Sequence, residues 1–345
     1  MKAYRLSGVR SENPTEALTL TESVDPTGQP GYGQVLVRMH AAALNYRDVM
    51  IMRGDYAIPA ATGTVPLSDG AGEVMAIGDG VQSLAVGDRV TSTYFLRWID
   101  GTLTPELVRE QFGASRDGVL AEYLLCSEES LVKMPDHLTM EEAATLPCSA
   151  LTAWSALTGP RPVLPGESVL TLGTGGVSLF AVQLAQLFGA RVIAATSSEA
   201  KAERIRELGA DTVINYQEHP EWDRLVLDAT AGRGVDRVIE TVGPQTLDRS
   251  IRSTAFGGEL AHIGGGGFSD PASQTFDPRV LHGRSLTLRR ITVGSRCAFE
   301  QMNRAITLHQ LRPVIDKVVP FADAADAYRR IQERSHVGKA VVAIG

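Results

Sequence analysis

The stretch TLGTGGVSLF, residues 171–180, places Gly173, Gly175 and Gly176 between an apolar run and a helical pattern that opens with Val177. Glycines at that point let a strand turn tightly into a helix. The backbone can then approach a pyrophosphate, and the free N–H groups of the helix N-terminus hold the anion. The full dinucleotide pattern asks for a third glycine at 178, where this chain has Ser178, still small enough for close helix–strand packing. Dinucleotide binding is the expectation, and a plain structural turn the alternative. At the end of the next strand an NAD site carries an acidic residue for the ribose hydroxyls. Counting back from Gly209-Ala210, that position falls on Thr196 in RVIAATSSEAKAER. No carboxylate stands there to repel a 2′-phosphate, and Thr196, Ser197, Ser198 and Lys201 offer hydroxyls and a positive charge. NADPH is therefore the expected cofactor. An ordinary polar loop with a solvated lysine is the alternative.

These groups need a parallel sheet to position them, and the chain supplies the rhythm for one. SVLTL leads through the glycine turn into VSLFAVQLAQLFGA, RVIAAT into EAKAERIRELGA, and DTVINY into a segment starting at Pro220. VDRVIET then leads into QTLDRSIRSTA, and GGELAHIG follows. Repeated strand–helix units imply a sheet with helices on both faces. Gly189 and Gly209 sit where helices should end. Just before this region TMEEAATLPCSALTAWSALTG looks helical, and Thr139 with Glu142 has capping-box spacing. The first 130 residues read instead as short strands and Gly-Asp turns, a mostly β domain. After about residue 290 the alternation breaks into RRITVGS, a helix from about Phe299 to Gln310, a helix at ADAADAYRRIQE and the strand KAVVAI. The predicted division is 1–138 with 290–345 for one domain and 139–289 for the other.

At 345 residues the chain is longer than a single core usually grows, which fits two domains. A net charge of −7 and no basic stripe argue against nucleic acid. The longest strongly apolar stretch, VSLFAVQLAQLF, contains two glutamines and falls short of the ~20 residues a membrane span needs. Three separated cysteines, Cys126, Cys148 and Cys297, do not make a disulfide scaffold. With no signal-peptide pattern at the N-terminus, a cytoplasmic location is expected.

The motifs NYRDVMIMRGDY (45–56), PLSDGAGEV (66–74), VGDRV (86–90), DGVLAEY (117–123), LPCSALTAW (146–154), GTGGVS (173–178), GADTVINY (209–216) and GKAVVAI (338–344) occur in one order. Together they resemble the medium-chain dehydrogenase/reductase superfamily, and within it the zinc-free quinone oxidoreductase branch. The resemblance implies an α/β chain: a GroES-like, mostly β catalytic domain from both ends of the chain, a doubly wound Rossmann domain between, and an active site in the cleft. It further implies a homodimer or homotetramer. Lys201, Tyr216 and Arg334 match positions that hold a 2′-phosphate. Thr152 matches a residue lining the cofactor, and Gly243, Ile263 and Gly264 should border the nicotinamide.

Zinc alcohol dehydrogenases, which this chain also resembles, hold catalytic zinc through Cys, His and Cys. The matching positions here are Asn45, Ser68 and Cys148. Catalytic zinc normally has three protein ligands, and Asn and Ser are poor ones. The region that would carry the relatives' structural zinc has no cysteine, and the seven histidines show no HExxH-like spacing. No metal is expected. Without a Lewis acid, oxidising a simple alcohol is hard. Hydride delivery to an electron-poor acceptor, a quinone or an α,β-unsaturated carbonyl, remains feasible because conjugation spreads the developing charge. Asn45, Asp48 and Tyr56 are the candidate catalytic residues. Asn45 would donate to the substrate oxygen or fix the nicotinamide ribose, Asp48 would orient that network, and Tyr56 would donate a hydrogen bond or relay a proton. The plainer readings are a local helix cap for Asn45 and Asp48 and a packed ring for Tyr56. Tyr46, Tyr94, Phe95 and Trp98 could line a pocket or belong to the core. An alcohol dehydrogenase, and a recruited binding or structural protein without catalysis, stay open as alternatives.

Overall fold

The computed structural model describes residues 1–8, 10–22, 30–264 and 277–345. In chain order the strands are β1 (Lys2–Leu6), β2 (Leu18–Glu22), β3 (Gln34–Ala43), β4 (Asp69–Ile77), β5 (Arg89–Ser92), β6 (Tyr123–Ser127), β7 (Leu131–Lys133), β8 (Ser168–Leu172), β9 (Arg191–Thr196), β10 (Thr212–Asn215), β11 (Val235–Glu240), β12 (Thr254–His262), β13 (Thr287–Arg290), β14 (Ile315–Pro320) and β15 (Lys339–Ala343). The α-helices are α1 (Pro14–Ala17), α2 (Tyr46–Arg53), α3 (Pro105–Val108), α4 (Met140–Ala143), α5 (Leu151–Thr158), α6 (Gly176–Leu187), α7 (Glu199–Glu207), α8 (Trp222–Ala229), α9 (Pro244–Ser253), α10 (Arg296–His309) and α11 (Ala324–Gln332). The chain divides into two compact units, Met1–Leu151 with Gly294–Gly345, and Thr152–Val293.

The Thr152–Val293 unit is built on a parallel sheet of strand order β10-β9-β8-β11-β12-β13. Numbered from its first strand this is the 3-2-1-4-5-6 order of a doubly wound dinucleotide-binding sheet. β8 and β11 are buried along their whole length, as expected of strands covered on both faces. Leu170, Ile193, Val238 and Leu260 form the core with Trp222 and Ile251. The sixth strand, β13, was not read from the sequence. It is short, lies at the sheet edge and is mostly exposed, so TLRR carries no apolar run to announce it.

In the other unit β3 is the organising strand. It pairs antiparallel with β4, with β6 near its start and with β15 near its end. The full order is β14-β15-β3-β4-β5-β7, so the C-terminal strands enter the same sheet as the N-terminal ones. One core spans both segments, from Val35, Leu67 and Leu120 to Tyr328 and Val342. The segment expected to be one helix over 139–158 is broken into α4, a π-helical turn at Leu146–Ala150, and α5. Pro147 removes an N–H donor inside that turn, which works against a regular α-helix there. The Thr139–Glu142 capping box is present in both directions, at 2.9 and 3.2 Å. α10 begins three residues earlier than expected, where Ser295 caps the Ala298 N–H at 3.2 Å.

Candidate functional site

The carboxyl ends of β8, β9, β10, β11 and β12 lie in register along one edge of the parallel sheet. That edge gathers Gly173, Gly175, Gly176 and Val177 after β8, and Thr196, Ser197 and Ser198 after β9. Tyr216 follows β10, Gly243 follows β11, and Ile263 and Gly264 follow β12. Gly173 turns with φ +78°, and a Cβ on either Gly173 or Gly175 would meet nothing within 4 Å. Gly175 is the N-cap of α6 and offers no side chain to cap it, so the first N–H groups of the helix keep their capacity for an anion. Ser178 replaces the third glycine without opening the packing. Its Oγ donates to Leu172 O at 2.6 Å, tying the first turn of α6 to the end of β8. Thr241 Oγ1 donates to the same carbonyl at 2.8 Å.

Around Thr196 the hydroxyl arrangement is uneven. Thr196 Oγ1 is buried with no hydrogen-bond partner, a polar atom the fold leaves for something else to satisfy. Tyr216 N donates to Thr196 O at 2.9 Å, which places the two residues side by side. Ser198 caps α7 by accepting from Lys201 N at 3.4 Å, so the cap fixes where Lys201 leaves the helix. At the other end of the edge, Gly243 adopts φ +113°, and a Cβ on Gly264 would stand 2.4 Å from the Thr241 backbone. The turn at Gly243 is held by Glu240, which the sequence did not single out. Its buried carboxylate accepts from Val242 N at 2.8 Å, Gly243 N at 2.9 Å and the hydroxyls of Thr246 and Ser250. Burial nevertheless pushes its carboxyl above the usual range. Thr152 is buried at the start of this unit.

In the other unit the three positions matched to metal ligands do come together, around a cation the sequence reading missed. Lys339 opens β15 with only 3% of its side chain exposed. Its Nζ donates to Leu44 O at 2.6 Å, to Asn45 Oδ1 at 2.6 Å and to Ser149 Oγ at 3.3 Å, and stands 3.8 Å from Asp69 Oδ2. Asp69 also accepts from Ser68 Oγ at 2.7 Å and from Cys148 N at 3.1 Å. Burial and the nearby Asp69 push the Cys148 thiol well above its ordinary range, so it is held as a neutral thiol. Ser68 and Asp69 are aimed by Leu67, a fully buried leucine in the left-handed region at φ +70°. That conformation costs a non-glycine residue about 1–2 kcal/mol. Two glycines accommodate it: a Cβ on Gly118 or Gly113 would collide with the Leu67 backbone at 2.0 and 2.6 Å.

Asn45 and Asp48 do cap α2, since Asp48 Oδ2 accepts from Asn45 N at 2.7 Å. The Asn45 side chain faces the Asp48 backbone N–H as in a capping box and has partners beyond it. Its Oδ1 takes bonds from Lys339 and from Ser149 at 3.1 Å, while Nδ2 is buried without a partner. Burial pushes the Asp48 carboxyl up to about 6, with Arg47 and the Asn45 N–H pulling the other way. Tyr56 is no isolated packed ring. Its hydroxyl lies 2.7 Å from Tyr94 Oη and donates to Gln111 Oε1 at 3.0 Å. Gln111 Nε2 donates to Val108 O at 2.6 Å, which fixes the amide with its oxygen toward Tyr56. The order of donation is therefore Tyr94 to Tyr56 to Gln111. The buried Arg47 guanidinium lies over both rings, 4.5 Å from the Tyr94 centroid and 5.1 Å from that of Tyr56. Phe95 and Trp98 pack edge to face behind Tyr94. Tyr46 and Arg334 form a separate pair in this unit, Arg334 Nη2 to Tyr46 Oη at 3.0 Å with the guanidinium over the ring.

The chain matches the alcohol dehydrogenase GroES-like domain family over residues 31–136 and the zinc-binding dehydrogenase family over 176–308. A zinc-type alcohol dehydrogenase-like protein of Schizosaccharomyces pombe is 40% identical over 316 residues, 90% of this chain and 91% of that protein. The chain belongs to the medium-chain dehydrogenase/reductase superfamily. Its fold is accordingly a GroES-like domain with a six-stranded Rossmann sheet, and it is an oxidoreductase of a family that uses NAD(P). The acryloyl-coenzyme A reductase of Sulfurisphaera tokodaii is 30% identical over 357 residues, 99% of each chain. Among solved structures, an NAD-dependent alcohol dehydrogenase superposes with TM-score 0.89 at 34% identity over all of both chains. A mycobacterial protein solved in complex with NADPH superposes with TM-score 0.80 at 29% identity over all of both chains. The dinucleotide fits the residues present: an open glycine turn, an uncapped helix and an unsatisfied Thr196 hydroxyl. The zinc that other members of the superfamily hold does not fit. An amide and a hydroxyl are poor donors for it, which leaves Cys148 as the one good ligand of the three positions, and a buried ammonium adjoins them. Among the described residues no three His, Cys, Asp or Glu side chains cluster as a metal site requires, and no helix is long and apolar enough to cross a membrane.

Proposed function

We propose that this chain is an NADPH-dependent reductase that delivers hydride to a quinone or an α,β-unsaturated carbonyl without a metal. The observation that carries the reading is the Lys339 ammonium among Asn45, Ser149 and Asp69, where a zinc enzyme would gather its ligands. NADPH, held by the glycine turn at Gly173–Gly176 and the groups around Thr196, would supply a hydride, two electrons with one proton, with NADP⁺ as the oxidised product. The acceptor carbon gains that hydride, and its conjugated oxygen or α-carbon takes a proton from solvent, directly or through a side chain. What this unit contributes is hydrogen-bond donation toward the oxygen that gathers charge. Asn45 Nδ2 is a buried donor without a partner that can serve, as are Nε and Nη1 of the neighbouring Arg47. Tyr56, whose own proton is committed to Gln111, can accept a bond or, after rotation, donate one.

For the cofactor, Thr196 in place of a carboxylate, with Ser197, Ser198, Lys201 and Tyr216 beside it, supports NADPH over NADH. Arg334 belongs to the other unit and is the least supported phosphate partner. The reductase named for acryloyl-coenzyme A acts on a conjugated thioester, the acceptor class proposed here. The likeness to an NAD-dependent alcohol dehydrogenase favours a second reading, an alcohol–aldehyde pair. Cofactor consumption measured over quinones, enones, enals, aldehydes and alcohols separates them. The proposal expects turnover of a quinone or enone with NADPH in preference to NADH. Turnover confined to alcohols and simple aldehydes would replace it with the second reading.

A further inference from the structure

Asn45 has one amide, and the fold has already decided how it must face. An ammonium can only donate, so the atom 2.6 Å from Lys339 Nζ is the oxygen. Ser149 fills the second lone pair of that oxygen at 3.1 Å. Both remaining amide protons are on Nδ2, which is buried and has no partner. An unsatisfied buried donor is costly, and folds retain few of them without a reason. A cation on the oxygen of an amide also draws electron density from its nitrogen, so the N–H groups become stronger donors, as in any polarised hydrogen-bond chain.

The placement of Lys339 is itself enforced. It enters on β15, which pairs antiparallel with the end of β3, the strand that runs directly into Leu44 and Asn45. Gly338 precedes it at φ +95°, and a Cβ there would stand 2.2 Å from Val314 O. The ammonium is then desolvated to 3% exposure, with Leu44 O, Asn45 Oδ1, Ser149 Oγ and the more distant Asp69 as its surroundings. An exposed lysine would hold Asn45 loosely. A buried one with fixed acceptors holds it in one orientation.

We propose that Lys339 is a positioning residue. Its ammonium fixes the Asn45 amide with Nδ2 as the outgoing donor and polarises it, so that positive character reaches the substrate oxygen through an amide and not through a metal. This rests on the reductase reading above and adds to it the source of the charge. Lys339 acts only through Asn45, which makes the two non-additive.

The test is a double-mutant cycle of Lys339→Met and Asn45→Ala, read as kcat and KM for NADPH-dependent reduction, together with the side-chain amide spectrum of protein labelled with ¹⁵N-asparagine. The chain has four asparagines, Asn13, Asn45, Asn215 and Asn303, so Asn45→Ala assigns the signal by its loss. Lys339→Met should lower kcat about 10- to 100-fold in the wild-type background and less than about 3-fold in the Asn45→Ala background. It should also move the Asn45 amide pair upfield and leave the other three in place. Lys339→Arg should restore part of both signals. Equal losses in the two backgrounds would overturn the proposal, as would an unmoved Asn45 signal. Should Lys339→Met fail to fold, Lys339→Gln, which keeps a donor and removes the charge, is read in the same way. Loss of the fold in both would make Lys339 structural and also overturn it. If no quinone or enone is reduced by any form, the functional reading fails, while the amide spectrum still decides the role of Lys339.

Discussion

The two units present their polar groups in opposite ways. In Thr152–Val293 the candidate site is built from backbone: a left-handed Gly173, an uncapped α6, and Gly264 pressed against Thr241. It also leaves the buried Thr196 Oγ1 without a hydrogen-bond partner. In the other unit the site is built from side chains that satisfy one another: Lys339 with Asn45 and Ser149, Ser68 with Asp69, and Tyr56 with Tyr94 and Gln111. The first kind of site holds a large anion by shape and orphan N–H groups. The second ties most of its polar groups to one another and leaves a few buried ones, Asn45 Nδ2 and Arg47 Nε and Nη1 among the donors, without a partner, which suits a reaction where developing charge is to be met.

A substitution in the backbone site should therefore act on any dinucleotide, and one in its side-chain fringe on only one of them. Gly173→Val places a Cβ and two methyls where the free chain has open space, at a φ of +78°. It should weaken NADPH and NADH alike, on the order of 100-fold or more, since overpacking a close approach costs roughly 1–3 kcal/mol on top of the left-handed strain. Calorimetric titration of both cofactors measures it, and an unchanged affinity would remove the glycine turn from the pyrophosphate site. Lys201→Ala should weaken NADPH roughly 10- to 100-fold and leave NADH nearly unchanged, because charge-assisted bonds are worth about 1.5–3 kcal/mol. Equal weakening of both would mean that Lys201 supports α7 and not a phosphate.

The smallest expected effect lies in the side-chain site. The Asp48 carboxyl is raised from 3.8 to about 6, chiefly by burial. Between those values the folded chain holds a proton the unfolded chain has lost, so this group makes stability fall as pH rises through about 4 to 6. Asp48→Asn keeps an acceptor for the Asn45 N–H and removes that slope, at the expense of the carboxylate 3.9 Å from Arg47. Relative to wild type, the variant should gain roughly 1–2 kcal/mol at pH 7 over its standing at pH 4. Thermal unfolding at the two pH values reads this, and a constant offset would contradict the raised carboxyl.

The same contrast explains what was legible in the sequence. A backbone site is written locally: the glycine spacing at 173–176, Thr196 at a strand end, and Gly189 and Gly209 with left-handed φ just beyond their helices. A side-chain site is written across the chain. Lys339 and Asn45 are 294 residues apart, Tyr56 and Gln111 55, and no local pattern joins them. The resemblance brought Asn45, Ser68 and Cys148 to attention because their types depart from a ligand set. It was silent on Lys339, although a charged residue opening the apolar run AVVAI was a visible signal. Arg47 sat inside the quoted NYRDV motif, and only the structure shows it buried under Tyr56 and Tyr94. The π-turn at Leu146–Ala150 was hidden because its composition is that of a helix, with Pro147 as the one sign of a break.

A buried lysine and an amide stand at the positions matched to the catalytic zinc ligands of zinc alcohol dehydrogenases. Catalysis without a metal is tested most directly by NADPH-dependent reduction of a quinone or an enone with protein stripped of metal by a chelator and checked by elemental analysis. The stripped protein should keep full activity and gain none when zinc is returned. Activity abolished by stripping and restored by one zinc per chain would contradict it.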